Sequence, residues 1–169
     1  MKVTTKITML FIALFISAGI MAQEKPASPA AVATGKAAGA NITINYSSPS
    51  VKGRTIWGEL VPYSKVWRAG ANEATTFKTD KDIMVEGQKL PAGDYAFFVI
   101  PEKDNTATIV FNKEAKQWGA YKYDESKDQL RVKVKTKKSS TLNERLVYTV
   151  NKNNVILSWE YLEIPISIK

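Results

Sequence analysis

The sequence predicts an all-β protein, a single β-sandwich, jelly-roll-like, of about ten strands behind an N-terminal signal peptide. Three observations carry that prediction. Apolar and polar residues alternate with a period of two in several runs, turn-forming residues recur between those runs, and no run of any length has a helical period.

At the start, Lys2 and Lys6 precede the apolar run Ile7 to Ile16, and the small residues of Ser17 to Ala22 follow it. That order is a secretory signal peptide over residues 1–22, with cleavage expected after Ala22. Its unbroken apolar part is shorter than the ~20 residues that cross a bilayer, so no membrane span is expected after cleavage. Gln23 to Ala30 is rich in Pro, Ala and Ser, has nothing to bury, and reads as a disordered lead-in. The sandwich domain is then expected over residues 31–169, in the periplasm or secreted.

Within the domain, Ile42, Ile44 and Tyr46 alternate with Asn41, Thr43 and Asn45, as on a strand with one buried face. Leu130, Val132 and Val134 alternate with Arg131, Lys133 and Lys135. Leu146, Tyr148 and Val150 form a third such run, and Val155, Leu157, Trp159 and Tyr161 a fourth. Tyr95 to Ile100 is apolar throughout, which predicts a central strand buried on both faces, stopped by Pro101. Glu86-Gly87, Ala92-Gly93-Asp94, Lys103-Asp104-Asn105 and Asn151 to Asn154 supply turns. The one weak helical candidate, Thr55 to Leu60, is a single turn at most.

Charge and composition narrow the chemistry. The chain has 24 basic and 16 acidic residues, a net +8, of which the two leader lysines account for two. A basic balance suits anionic polymers, but an export signal argues against nucleic acid, and charge spread over strand faces for solubility is the simpler reading. The basic stripe Arg131, Lys133 and Lys135, continued by Lys137 and Lys138, reads most simply as an exposed strand guarded against edge-to-edge pairing. With no Cys there are no disulfides, thiol nucleophiles or zinc–thiolate sites. With no His there is no His-based serine hydrolase and no HExxH site. Asp124, Glu125 and Asp128 lack the spacing and glycine of a calcium loop. No cofactor and no metal are predicted.

The densest chemistry lies between Lys52 and Glu73. Trp57, Tyr63 and Trp67 supply aromatic faces there, and Arg54, Arg68, Asn72 and Glu73 supply polar groups, among glycines and a proline. Aromatic faces stack on sugar rings while Arg, Asn and Glu bond hydroxyls, so Arg54, Trp57, Tyr63, Arg68, Asn72 and Glu73 are the candidate ligand-binding residues. The aromatic set Trp118, Tyr121 and Tyr123 could form an opposite wall. The competing reading is structural: Trp67 as core, and Arg68 with Glu73 as an internal ion pair bracing a long loop, with Asn72 capping a turn. Catalysis, if any, would need paired carboxylates, for which Glu59 and Glu73 are the candidates.

The words Ser48 to Arg54, Trp57-Gly58, Leu60 to Tyr63, Lys65 to Thr75, Leu90 to Gly93, Phe111 to Lys113, Trp118-Gly119 and Glu144 to Leu146 resemble the domain-of-unknown-function 2911 family. The resemblance covers about residues 28–168 and is most specific in the run from Trp67 to Thr75. It implies an exported all-β protein of the kind found in Bacteroidota-like bacteria, and it carries no catalytic residues over. The expected function is binding of a carbohydrate, an envelope glycan or another small molecule. A carboxylate-dependent hydrolase and a structural or interaction protein of the cell envelope are the alternatives.

Overall fold

The computed structural model describes residues 27–169. The leader and the first part of the lead-in lie outside the described residues. Ten strands run in the order β1 (Ala30–Ala37), β2 (Ala40–Ser47), β3 (Thr75–Thr79), β4 (Ile83–Val85), β5 (Gln88–Leu90), β6 (Gly93–Pro101), β7 (Thr106–Asn112), β8 (Asp128–Lys135), β9 (Lys137–Asn151) and β10 (Asn154–Ser167). The end of the lead-in is already tied to the domain, since the Pro29 carbonyl accepts from Ser48 N–H at 2.8 Å and Ala30 pairs with Ser47. Among the described residues the only helical element is a 3-10 turn, Glu125–Lys127, and no helix is long and apolar enough to cross a membrane.

The expected sandwich is present. One layer is an antiparallel sheet in the order β1-β2-β3-β6-β7-β8. The second is the long β9–β10 hairpin, extended on both sides by hydrogen bonds outside the regular ladders. Beside β10, Met84 and Lys169 exchange N–H···O bonds at 2.7 and 2.9 Å, which adds the β4–β5 hairpin. Beside β9, Leu146 N–H reaches Pro49 at 3.0 Å and Val51 N–H reaches Glu144 at 2.8 Å. Two tight hairpins use the left-handed backbone that two-residue turns need: Ala38-Gly39 and Glu86-Gly87 all have φ between 49° and 82°.

The main core lies between the layers and takes the alternate residues predicted for each strand: Ile42 and Ile44, Leu130 to Val134, Leu146 and Tyr148, and Val155 to Trp159. Strand β6 is buried on both faces, as its apolar run predicted. Tyr95, Phe97 and Val99 face the main core. Ala96, Phe98 and Ile100 join Ala74 and Val110 in a second cluster under Val66, Ala120 and Tyr123. The loop from Lys113 to Lys127 is pinned over that face by Asn112, which is fully buried. Its amide donates to the Asp124 carbonyl at 2.9 Å and the Asp128 carboxylate at 2.8 Å, and its oxygen accepts from Glu114 N–H at 3.0 Å.

Two expectations are corrected. Thr55 to Leu60 contains no helix; the chain makes a wide turn closed by Val61 N–H to Ile56 carbonyl at 2.9 Å and Gly58 N–H to Val61 carbonyl at 2.9 Å. In β10 the fourth alternating run breaks after Trp159. Register shifts flank Glu160, whose φ is +54°, so inward residues change phase from Val155, Leu157 and Trp159 to Ile164 and Ile166. A β-bulge moves every following side chain to the other face. Tyr161 is therefore 47% exposed instead of core.

Candidate functional site

Strands β2 and β6 run in the same direction, because each is antiparallel to β3 between them. Both end at one rim of the sheet, and the chain from Ser48 to Ala74 spans that rim. Its two halves are held differently.

In the first half, Ile56 and Val61 are buried and anchor the wide turn. Between them Trp57 is half-buried. Its ring meets Trp67 edge-on at 5.7 Å and Trp159 edge-on at 6.2 Å, while Trp67 and Trp159 stack at 5.7 Å. The indole N–H groups of Trp57 and Trp159 are buried without a protein partner. Tyr63 lies on Gly58, where an added Cβ would come within 2.8 Å of the ring and where φ is +93°. Glycine is required there on both counts.

Trp57 and Tyr63 line a cleft of about 550 Å³. Its other walls come from the turn after β6 (Glu102, Lys103 and Asn105) and the start of β7 (Thr106), from the β8–β9 corner (Thr136) and the start of β9 (Lys138), and from the bulge (Glu160, Tyr161 and Leu162). The Asn105 carbonyl accepts Thr136 N–H at 2.9 Å and ties two of these walls together. The Glu102 carboxylate accepts from the Ser64 hydroxyl at 2.5 Å, and the Glu160 carbonyl accepts from the Asn143 amide at 3.2 Å. Asp104 at the tip of the turn has its pKa lowered, chiefly by the Thr106 hydroxyl and also by Lys133. Glu160 and Asn105, which line the cleft, and Ser64, which bonds its Glu102 wall, have left-handed backbone. For Asn105 this is the ordinary conformation of a turn asparagine, while Glu160 is the long side chain at which it is uncommon.

In the second half, Trp67 is buried and exchanges two 2.9 Å backbone bonds with Val99, in line with β3. Ala69 has φ +54°, and its carbonyl accepts from two buried hydroxyls, Tyr148 at 2.7 Å and Thr75 at 2.9 Å. Burial raises the Tyr148 pKa well above its ordinary value, so the phenol stays a donor. At Gly70 an added Cβ would sit 2.9 Å from the Thr75 hydroxyl and 3.1 Å from the Ser47 carbonyl.

The six candidate binding residues do not converge. Trp57 and Tyr63 share the cleft. Arg54 folds back on its own turn, donating to the Val51 carbonyl at 3.0 Å and the Ser50 carbonyl at 2.5 Å. Asn72, at φ +59°, donates to the Ser47 hydroxyl at 3.2 Å. Arg68 is half-buried with Nε unpartnered, Glu73 is exposed, and the two make no ion pair among the described residues. Glu73 instead borders two shallow depressions, one beside Tyr46 and one beside Trp118. Glu59 is exposed on the outside of the wide turn and lines none of these hollows.

The second aromatic set is no wall of the cleft either. Trp118 and Tyr121 stand exposed on the loop over the outer face. Tyr123 packs edge-on against Phe98 at 5.1 Å and donates to Asp128 at 2.5 Å. Burial first, and then that hydrogen bond, raises its pKa far above the usual tyrosine value. Asp124 caps the 3-10 turn and Asp128 joins this network, so their oxygens are engaged internally. The residues that sequence reasoning missed are Glu102, Asn105, Lys138, Glu160 and Tyr161. One signal for Tyr161 was present: adjacent apolar residues at Tyr161-Leu162, where one alternation gives way to the next.

No curated protein and no solved structure matches this chain. A family model described as a protein of unknown function (DUF2911) matches residues 28–168, nearly the whole length. The chain belongs to the DUF2911 family.

Proposed function

We propose that this is an exported binding module whose cleft holds a short stretch of neutral glycan. The supporting observation is the composition of that one hollow. Three aromatic side chains, Trp57, Tyr63 and Tyr161, line a space of about 550 Å³, which is in the size range of small-molecule sites. Its polar groups are amide, hydroxyl and charged in balance, with Glu102 and Glu160 set against Lys103 and Lys138. A basic chain with a charge-balanced cleft has no electrostatic preference for an anion at that point, while stacking faces and mixed donors suit sugar rings.

The test is a thermal-shift and calorimetric screen against neutral hexasaccharides of glucose, xylose and mannose, run on the native protein and on Tyr161→Ala. Binding by the native protein, weakened about tenfold or more in Tyr161→Ala with an unchanged melting temperature, is the expected result. Binding that is indifferent to Tyr161→Ala, or no binding across the panel, counts against the reading.

A hydrolase remains the second reading because two carboxylates, Glu102 and Glu160, line the same cleft. It requires release of reducing ends from those oligosaccharides and loss of that release in both Glu102→Gln and Glu160→Gln.

A further inference from the structure

We propose that the groove beside the β8–β9 corner is a second binding site, for an anionic polysaccharide. The groove encloses about 450 Å³ and is lined by Lys133, Lys135 and Lys137, with Asn153, Asn154 and Ser167 on its far wall. Its one acidic lining residue is Glu86, whose carboxylate accepts Ser167 N–H at 2.5 Å. Neither Lys135 nor Lys137 makes an ion pair among the described residues, although Glu163 stands opposite Lys137 in the ladder. Lys133 meets Asp104 at 3.4 Å, but both side chains are more than half exposed, and such a pair exchanges readily for another anion.

The class of ligand follows from what the groove contains. Alternate residues of a strand are ~6.7 Å apart on one face, so Lys133 and Lys135 present charge at a polymer's spacing and not as a single-ion cage. Ring hydroxyls find partners in the two asparagine amides and the serine. The lining holds no aromatic residue, so it lacks the stacking platforms of single-stranded nucleic acid sites. Apolar lining is limited to Val134 and Pro165, too little to seat a lipid chain.

The groove also connects to the cleft. Lys133 lines a shallow depression with Glu102 and Lys103, and those two residues line the cleft in turn. The groove, the depression and the cleft are therefore neighbours that share lining residues. The groove site stands whether or not the cleft binds a neutral sugar.

The competing role for these lysines is to keep β8, an edge strand, from pairing with another molecule. Binding of polygalacturonate, with dextran as the neutral control and polyphosphate as the non-sugar polyanion, separates the two. It is measured over a salt series for the native protein, for Lys135→Gln/Lys137→Gln, and for Lys36→Gln/Lys113→Gln, which removes equal charge elsewhere. Polygalacturonate should bind with a strong salt dependence, whereas any dextran held by the cleft should bind with an affinity indifferent to salt and to the groove substitutions. The groove variant should lose about tenfold or more in affinity, and its salt slope should fall by about two. The control pair should change little. Equal weakening in both double variants means net charge alone, and overturns the site. So does native-like binding by a groove variant that self-associates, as does absence of binding at low salt. Tighter binding of polyphosphate than polygalacturonate overturns the polysaccharide assignment.

Discussion

The two halves of the rim-spanning segment, Arg54 to Tyr63 and Trp67 to Thr75, have similar inventories of aromatic, charged and glycine residues, yet the fold uses them oppositely. In the first half the backbone is secured by Ile56 and Val61, which frees the Trp57 and Tyr63 rings to line a cleft. In the second half the backbone itself is the object held, through the Val99 bridge to Trp67 and the two hydroxyls on the Ala69 carbonyl. Composition alone does not separate a wall from a brace. What separates them is where the hydrogen bonds of the main chain go, since buried carbonyls must be partnered and whatever partners them becomes structural.

That contrast can be broken most severely at the aromatic junction where the halves meet. Trp159 stacks on Trp67 and touches Trp57, and is 1% exposed. Trp159→Ala should cost about 3–5 kcal/mol in urea unfolding and disturb both halves at once. Next come the hydroxyls on Ala69. Tyr148→Phe alone should cost about 1 kcal/mol, because Thr75 still serves the carbonyl. Adding Thr75→Val should cost more than the sum of the single changes, because the buried acceptor is then unpaired. If the losses simply add, the Ala69 carbonyl is not the shared partner that defines the brace.

A third effect separates the halves by pH. Tyr123 and Tyr148 both have raised pKa values in the folded state. Their contribution is complete below the ordinary tyrosine pKa of about 10 and is lost as pH climbs above it, because the unfolded chain releases those protons first. Unfolding free energy should therefore fall above about pH 10, and the fall should be shallower in Tyr148→Phe. The smallest effect on stability belongs to the cleft. Tyr161→Ala removes an exposed ring and should move unfolding by no more than about 0.5 kcal/mol.

How much was legible follows the range of the interactions. Strand β6 could be read on both faces because six consecutive apolar residues leave no solvent side, whatever packs on them. The alternating runs placed the main core for the same local reason. The brace was not legible, because Tyr148 and Ala69 are 79 residues apart in sequence. An Arg68–Glu73 ion pair was a reasonable local guess; the left-handed backbone at Ala69 and Asn72 accompanies a loop path that leaves Glu73 in solvent. Trp57 and Tyr63 stood out by composition, but the opposite wall did not, because Tyr161 reaches it only through a bulge that breaks the alternation on which the strand was recognised. Glu102 and Asn105 read simply as a turn, and a turn becomes a cleft wall only through the corner it docks against.

Under the proposed function, ligand contact belongs to the first half and not to the second. The most direct measurement is to titrate isotope-labelled protein with the neutral hexasaccharide panel and map the backbone and indole resonances that move. Saturable shifts are expected at Trp57, Tyr63, Glu102 to Thr106 and Glu160 to Leu162, with Arg68 to Thr75 nearly still. Shifts centred on Glu73, Thr76 and Trp118, with the cleft unmoved, would contradict it.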